Sequence, residues 1–296
     1  MHIFIIGMSS ITSNNSNSTK HKKEKKKKEK PKNHNFMKRL LKDCVDIYKN
    51  PLEDNGIYYL HSETNIKKGY AMIIGPENTI YKYGAYLFEF EFPNDYPFSP
   101  PKLKYKTNNG TIRFNPNLYR NGKVCISIVN TWKGEQWTSC QTIRSVLLSL
   151  LTLFHNEPLI NEPGITKRHK DFDNYNNLIE FFNYKTAIFT NIIHKMSVIN
   201  NENIRTKLFS SYINFIDTKK NNILENIKKL RNIWDNNSDS FFDKDPVHNK
   251  EYKYIRFQCT IYSMSSSVSY ELLENCFIKY FNNEKKINNV KKHKNV

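Results

Sequence analysis

The amino-acid sequence predicts an α+β domain with a four-stranded antiparallel sheet, followed by a mostly helical C-terminal extension. The chain has 296 residues, of which 38% are hydrophobic, so it can bury a sizeable core. Apolar residues recur first at helical spacing, then in four short runs typical of strands, and then at helical spacing again. Consecutive strands followed by helices are typical of an α+β domain with an antiparallel sheet.

The first predicted element is an amphipathic helix that begins near Phe36. Apolar residues form one stripe along it, with polar and basic residues on the other face. The members of the stripe are Met37, Leu40, Leu41, Cys44, Val45 and Tyr48. The helix ends at the Asn-Pro pair at 50–51, because the residue before a proline avoids the helical conformation. Residues 1–35 are polar and then lysine-rich, so we predict that they form a disordered basic tail.

Four short strands are predicted next. The runs 57–60 and 71–74 are β-prone and are separated by a polar turn that contains a glycine. Over 86–92, aromatic residues alternate with Leu and Glu, which predicts a strand with one buried aromatic face. A proline-rich segment, 92–101, separates this strand from the fourth, which we place at 102–105. The order of these runs predicts one antiparallel sheet.

A long irregular segment, 106–137, follows the strands, and such a loop inside a compact domain is usually functional. We predict that the next helix begins at Thr138, which forms a capping-box pattern with Gln141. The apolar stripe of this helix comprises Ile143, Val146, Leu147, Leu150, Leu151 and Phe154. A further helix is predicted over 172–196, and helical spacing continues beyond residue 200.

These elements divide the chain into a basic tail at 1–35, a core domain at 36–199 and a mostly helical extension with its own basic tail at 200–296. The net charge is +18, and the window 20–32 alone holds nine lysines and two glutamates. Such tails can contact nucleic acid, a nuclear import receptor or an acidic partner, or remain solvated without a partner. No base-stacking motif or zinc finger appears, so we expect nucleic acid to bind only through weak tail electrostatics.

Composition also indicates the compartment. No apolar run approaches the roughly 20 residues that a membrane-spanning helix needs, so we expect no membrane insertion. The apolar start of the chain lacks a basic region and a cleavage site, so we do not interpret it as a signal peptide. The five cysteines are scattered and include no Cys-x-x-Cys pair, which argues against a disulfide framework or a zinc site. We therefore expect a reducing compartment, namely the cytoplasm, the nucleus or both.

Four short motifs occur in order within residues 36–165. The motifs are Asp-Tyr-Pro-Phe-Ser-Pro-Pro at 95–101, Asn-Pro-Asn at 115–117, Cys125 eight residues after Asn117, and Trp-Thr-Ser at 137–139. Together they resemble the motifs of the ubiquitin-conjugating (carrier) enzyme family. This resemblance implies the family's core fold, with an N-terminal helix, a four-stranded antiparallel sheet and then helices.

Several segments look most like the Z type of that family. They include Tyr-Arg-Asn-Gly-Lys-Val-Cys at 119–125, the long loop 129–136 after it, and Asn-Glu-Pro-Gly at 161–164. The chain departs from the family pattern at Asn115, where a histidine is common, and at Ser127, where many members have aspartate. These departures bear on how an incoming lysine is deprotonated.

The resemblance implies two acyl transfers through Cys125. An activating enzyme would pass the C-terminus of ubiquitin, or of a ubiquitin-like protein, to this thiol as a thioester. A lysine of a protein substrate would then attack the thioester, alone or with a ubiquitin ligase present. A thiol suits both steps because it is strongly nucleophilic and leaves readily as thiolate. Cys125 lies on an irregular segment, so it can be exposed, and a small buried side chain is the structural alternative. No metal or cofactor is expected, since the upstream activating enzyme uses the ATP.

Two further residues match catalytic positions of the family. Asn117 matches the catalytic asparagine, whose amide can stabilise an oxyanion or can instead tie the loop backbone in place. Glu162 matches a position near the attacking lysine, where a carboxylate can orient the amine. Its charge would not lower the pKa of that amine, because an opposite charge favours the ammonium form. A solvated loop charge is the alternative for Glu162.

Partner surfaces also follow from the resemblance. The basic face of the first helix, where the family meets its activating enzyme, is matched by Lys38, Arg39 and Lys42. The ligase-facing surface is matched by Phe98, Trp137, Thr138 and Ser139. An exposed aromatic residue beside a proline-rich loop is a plausible anchor, whereas the tryptophan can belong to the core instead. For the basic helix face, an ordinary solvated surface is the alternative.

The remaining cysteines, at 44, 140, 259 and 276, are expected to be structural, as free cysteines usually are. The leading hypothesis is thus an active ubiquitin-conjugating transferase. The alternative is a non-catalytic binding module of the ubiquitin pathway on the same fold. A papain-like protease is disfavoured because no family-specific sequence surrounds the cysteine.

Overall fold

A computed structural model describes residues 32–247 and 249–294 of the chain. The first helix, α1, runs over Lys32–Lys49, and four strands follow it. The strands are β1 (Ile57–His61), β2 (Lys68–Ile74), β3 (Ala85–Glu91) and β4 (Lys102–Tyr105). They form one sheet in the order β1-β2-β3-β4, and all neighbours are antiparallel. The predicted α+β fold is confirmed, although α1 begins before Phe36. Residues 1–31 of the predicted disordered tail lie outside the described residues, whereas its last four residues, 32–35, are helical, so that part of the prediction is wrong.

Helices dominate the rest of the chain. The helical elements are α2 (Ile143–Leu151), α3 (Phe172–Phe182), a π-helical stretch (Asn183–Thr190), α4 (Asn191–Ile193), α5 (Glu202–Asp235) and α6 (Tyr270–Lys294). Short 3₁₀ turns lie at Glu53–Asn55, Ser127–Val129 and Pro158–Asn161. The helix predicted over 172–196 is one helical body whose middle is π-helical, and it ends at Ile193, three residues before the predicted end. None of the helices in the described part of the chain combines the length and hydropathy that crossing a membrane requires.

The C-terminal extension is mostly helical, as predicted, but it also contains a small sheet that we did not predict. The strands β5 (Phe241–Lys244), β6 (Glu251–Cys259) and β7 (Met264–Val268) pair antiparallel in that order. On β6, buried Ile255, Phe257 and Cys259 alternate with exposed residues. This period-two pattern was the available signal for the strand.

The aromatic face predicted for the third strand packs into the main core. Four of its residues are buried, namely Tyr86, Phe88, Phe90 and Phe92. The ring of Tyr86 lies 4.4 Å from that of Phe154, just beyond the end of α2. Stacked and edge-to-face aromatic pairs of this kind stabilise a core beyond their buried area. The sheet and α2 therefore share one aromatic core.

The first half of α5 contacts the loops on both sides of β2. Lys207 pairs with Glu63 at 3.4 Å before the strand, and Lys219 pairs with Glu77 at 2.5 Å after it. The buried hydroxyl of Tyr212 donates to the carbonyl of Tyr83 at 2.8 Å. These contacts attach the C-terminal extension to the core domain.

The apolar stripe predicted for α1 is wrong in its orientation. Four of its members are exposed: Met37, Leu41, Val45 and Tyr48. The helix instead buries Phe36, Leu40, Asp43 and Ile47. An acidic residue therefore faces the interior, which apolar spacing cannot predict. The physical reason is a set of polar partners that meet the Asp43 carboxylate there.

These partners come from three parts of the chain. The guanidinium of Arg39 donates to Asp43 at 2.9 Å, and the buried hydroxyl of Tyr96 donates to the second carboxylate oxygen. The same guanidinium donates to the carbonyls of Ser139 at 2.6 Å and Gln141 at 2.5 Å. A buried carboxylate with both oxygens hydrogen-bonded avoids most of its desolvation penalty. The cluster joins α1, the proline-rich segment and the approach to α2.

The predicted start of α2 is also corrected. The helix begins at Ile143, and its capping box is formed by Thr142 with Ser145. Thr138 and Gln141 do contact each other, since the amide of Thr138 donates to the Gln141 side chain at 3.0 Å. This contact closes a turn before the helix. Two capping patterns occur in succession, and the sequence does not show which one begins the helix.

We predict that Asp43→Ala destabilises the protein by about 3 kcal/mol, because it leaves the Tyr96 hydroxyl buried without its acceptor and Arg39 without its counter-ion. Urea denaturation followed by circular dichroism measures this change. Asp54→Ala is the matched control, since this aspartate is exposed on a short 3₁₀ turn. Equal urea midpoints for the two variants would show that the buried cluster contributes nothing.

Candidate active site

The segment around Cys125 has little regular structure, yet most of it is buried. Asn115 is fully buried, and its side chain makes two hydrogen bonds. Its oxygen accepts from the backbone amide of Asn117 at 2.9 Å, and its nitrogen donates to the Leu153 carbonyl at 2.8 Å. The residue that replaces the common histidine thus shapes the turn and ties it to the end of α2.

Asn117 and Cys125 are brought together by two hydrogen bonds. The backbone amide of Cys125 donates to the Asn117 carbonyl at 2.9 Å. The side-chain nitrogen of Asn117 donates to the Cys125 carbonyl at 2.6 Å. The side-chain oxygen of Asn117 is buried and has no hydrogen-bond partner among the described residues. Burying a hydrogen-bond acceptor without a partner destabilises the folded state. The hydrogen bonds that the rest of Asn117 makes must therefore offset this cost.

Cys125 is buried rather than exposed, since only 2% of this residue is accessible to solvent. Its neighbours Val124 and Ile126 are buried as well. Thr131 pairs both backbone groups of the residue after Cys125. Its hydroxyl accepts from the Ile126 amide at 2.9 Å and donates to the Ile126 carbonyl at 3.0 Å. An irregular segment is therefore not an exposed one. Local pairing and side-chain hydrogen bonds replace the solvent that a surface loop would use.

Glu162 is not a freely solvated loop charge. Its carboxylate accepts a hydrogen bond from the Tyr262 hydroxyl at 2.5 Å and lies 3.9 Å from a guanidinium nitrogen of Arg113. Tyr262 belongs to the C-terminal extension and Arg113 to the segment before Asn115. Sequence reasoning identified neither partner, because no spacing rule links Glu162 to a tyrosine 100 positions away or to an arginine in another loop.

The Arg113 guanidinium occupies the centre of this arrangement. It lies 3.8 Å from the ring centre of Tyr119 and 4.3 Å from that of Tyr262. It also donates to the carbonyl of Pro116, the residue before Asn117. A cation between two aromatic faces is attracted to both by their quadrupoles. Arg113 and the two tyrosines, together with Arg120 and Ser263, line a cleft of about 470 Å³.

The residues expected to bind partners are divided between surface and interior. Lys38, Lys42, Thr138 and Ser139 are exposed, and Phe98 is 74% exposed. Arg39 is instead engaged in the Asp43 cluster described above. Trp137 is only 8% exposed, and its indole nitrogen donates to the Pro97 carbonyl at 2.7 Å. This tryptophan therefore belongs to the packing beneath the surface.

The other cysteines differ in environment. Burial, with a smaller contribution from the charge of Asp43, raises the pKa of Cys44 to about 12. Burial likewise raises the pKa of Cys259 to about 11, and it raises the pKa of half-buried Cys276. Cys140 is exposed, so the structural interpretation given to it is wrong. Within the described residues, no cluster of His, Cys, Asp or Glu is arranged to hold a metal ion.

Comparison with known proteins gives a consistent family assignment. Residues 39–182 match the family described as ubiquitin-conjugating enzyme. The chain is 43% identical over 153 residues to human ubiquitin-conjugating enzyme E2 Z, a match that covers 51% of this chain and 43% of that protein. It is 40% identical over 138 residues to a putative ubiquitin-conjugating enzyme E2 39 of Arabidopsis thaliana, covering 45% of this chain and 42% of that protein.

A third relative is the probable ubiquitin-conjugating enzyme protein 17 of Caenorhabditis elegans. It is 40% identical over 137 residues, which cover 44% of this chain and 19% of that protein. The chain thus spans less than half the length of these curated relatives. The observed sheet, the helix after it and the Asn117–Cys125 pair all lie inside the matched region. Residues 39–182 thus match the ubiquitin-conjugating enzyme family, and over this region the chain is similar to the Z-type enzymes.

Proposed function

We propose that this protein carries ubiquitin, or a ubiquitin-like protein, as a thioester on Cys125 and transfers it to a lysine of a protein substrate. The observation that carries the proposal is the direct pairing of Asn117 with Cys125, which sets an amide donor beside the residue that would be acylated. An activating enzyme consumes ATP upstream, and the reaction at Cys125 itself uses no metal or cofactor.

Both steps are acyl transfers at one sulfur atom. In the first, the Cys125 thiolate attacks the thioester carbonyl carbon of the activating enzyme, whose thiolate leaves. In the second, a lysine amine attacks the new thioester, the carbon–sulfur bond breaks, and Cys125 leaves as thiolate while the nitrogen loses a proton. Each step passes through an oxyanion that a hydrogen-bond donor can stabilise.

Asn117 can contribute to both structure and catalysis. One hydrogen of its side-chain NH₂ group is used by the Cys125 carbonyl at 2.6 Å. An amide NH₂ group has two hydrogens, so a second donor is left for an oxyanion that forms next to the sulfur. The first bond would then hold the second hydrogen in position before the reaction begins.

Burial of Cys125 adds a requirement for movement. A residue that is 2% exposed cannot meet a macromolecular acyl donor without local displacement. The segment after it is the best candidate to move, because residues 130–136 are mostly exposed. The same burial supports the second candidate function, a binding module of the ubiquitin pathway that never forms the thioester.

Partner surfaces follow from exposure. We propose that Lys38 and Lys42 contact the activating enzyme, because both are exposed on one face of α1. For ubiquitin ligases, we propose a surface centred on Phe98, with Thr138 and Ser139 beside it. Exposed aromatic side chains at an interface often account for much of its binding energy.

We predict that the wild-type protein, incubated with ATP, Mg²⁺, ubiquitin and each available activating enzyme in turn, forms an adduct that a thiol reductant removes. Cys125→Ser should abolish this adduct or convert it to an oxygen ester that survives the reductant. Gel electrophoresis with and without reductant distinguishes these results. Cys140→Ser is the matched control and should retain the reducible adduct, since this exposed cysteine lies outside the site.

If ubiquitin gives no adduct, the same test with other ubiquitin-like proteins decides between the two functions. A reducible adduct with one of them would identify the modifier. Absence of charging with every combination, for a protein whose circular dichroism shows it to be folded, would favour the binding module.

We predict that Asn117→Ala slows transfer from charged Cys125 to free lysine by about 10²–10³-fold, the usual cost of losing one oxyanion donor. Single-turnover discharge of pre-charged protein measures this rate. Asn55→Ala is the control, because this asparagine is exposed and lies well before Asn117 in the sequence. If the variant discharges within twofold of the wild type, Asn117 has no catalytic role. If its melting temperature falls and charging is lost together with discharge, the role is structural.

We predict that iodoacetamide at about pH 8 modifies Cys140 first. Cys125 should react more slowly because it is buried, and Cys44 and Cys259 should stay unmodified because their raised pKa values keep them as thiols. Peptide mass spectrometry at successive times measures the order. In urea, all four should react at similar rates. Reaction of Cys125 as fast as Cys140 in the folded protein would show that its thiol is accessible without movement.

A further inference from the structure

The turn between β6 and β7 in the C-terminal extension docks beside the active-site segment. Asp171, at the start of α3, fastens this turn. Its carboxylate accepts from the Thr260 hydroxyl at 2.7 Å and from the Ile261 amide at 2.9 Å. Although burial acts in the opposite direction, these hydrogen bonds lower the pKa of Asp171, so the carboxylate is charged at neutral pH. The turn is thus held on the core domain by charge-assisted hydrogen bonds.

Tyr262, at the tip of this turn, contacts two loops of the core domain. Its hydroxyl donates to Glu162 at 2.5 Å, and its ring covers one face of the Arg113 guanidinium at 4.3 Å. Its carbonyl accepts from Arg120 at 2.5 Å. Burial, together with the hydrogen bond to Glu162, raises the pKa of Tyr262, so the hydroxyl remains a proton donor.

From Tyr262, direct contacts lead to Cys125. The Arg113 guanidinium, held by the Tyr262 ring, donates to the carbonyl of Pro116. Pro116 is followed by Asn117, whose amide donates to the Cys125 carbonyl. These contacts connect the Tyr262 ring to the backbone beside Asn117 and Cys125.

Glu162 is the second end point of these contacts. One carboxylate oxygen accepts from Tyr262 and faces Arg113, whereas the other accepts no hydrogen bond from the described residues. A carboxylate fixed through one oxygen presents the other in a defined direction. In the role that the family resemblance implies for Glu162, this free oxygen would accept a hydrogen bond from the incoming amine.

We infer that Tyr262 of the C-terminal extension is a positioning residue for the transfer of the modifier to lysine, and that it acts by holding the Glu162 carboxylate and the Arg113 guanidinium in place. The inference rests on the proposed function. Charging of Cys125 uses no amine, so the hydroxyl of Tyr262 should affect discharge much more than charging. The extension is then part of the acceptor side of the active site.

The test is a double-mutant cycle of Tyr262→Phe and Glu162→Gln in the full chain. Phenylalanine keeps the ring over Arg113 and removes only the hydroxyl. Each single variant should slow discharge to free lysine about tenfold, the size expected for a hydrogen bond to a charged group, and should charge within about twofold of the wild type. The double variant should discharge no more slowly than Glu162→Gln alone, because Tyr262 acts through Glu162.

Tyr254→Phe is the matched control, since this tyrosine lies on β6, the strand that leads into the turn, and its ring stacks on Phe241. It should discharge at the wild-type rate. Melting temperatures of all variants show whether a loss of rate reflects unfolding.

The outcomes separate this inference from the proposed function. A double variant whose discharge falls about a hundredfold would show that the two side chains act independently and would overturn the inference. Wild-type discharge in Tyr262→Phe would overturn it as well, as would equal losses of charging and discharge. A wild-type protein that never charges would instead refute the proposed function, and this inference with it.

Discussion

The buried backbone around Cys125 must have its polar groups paired, and this requirement shapes the candidate site. The segment is too irregular for a sheet to supply those partners. Amide and hydroxyl side chains supply them instead, from Asn115, Asn117 and Thr131. A buried unpaired amide or carbonyl costs about as much as a lost hydrogen bond, so each of these side chains has little freedom to change. The hydrogen bond from Asn117 to the Cys125 carbonyl therefore meets part of this structural requirement.

Charged side chains connect this segment to the rest of the molecule. Arg113 lies between two tyrosine rings and reaches the backbone beside Asn117, while Asp171 anchors the turn that carries one of those rings. A guanidinium suits this position because it stacks on aromatic faces and donates hydrogen bonds in its own plane. The boundary we placed at residue 199 is thus a boundary in sequence pattern, across which the two parts share contacts at the site.

A second polar cluster, around Asp43, connects α1 to distant segments of the chain. The buried Asp43 carboxylate sets the rotation of the helix, and the helix therefore exposes apolar residues that its sequence pattern assigned to the core. Arg39 is held by this cluster, so the exposed charges of the helix face are those of Lys38 and Lys42. One basic residue of this face is therefore used inside the protein, while its two neighbours remain exposed.

The sequence by itself determined the fold class, the order of the elements in the core domain and the identity of the cysteine and asparagine, because period-two and helical spacing and short motifs are local properties of the chain. The sequence also contains the alternation of apolar and polar residues on β6, although the surrounding helical patterns favoured a helix there. Only the tertiary structure decided the orientation of α1, the burial of Cys125 and the partners of Glu162. Each of these depends on polar groups from distant segments that satisfy one another in the interior, and no local pattern records which distant groups will meet.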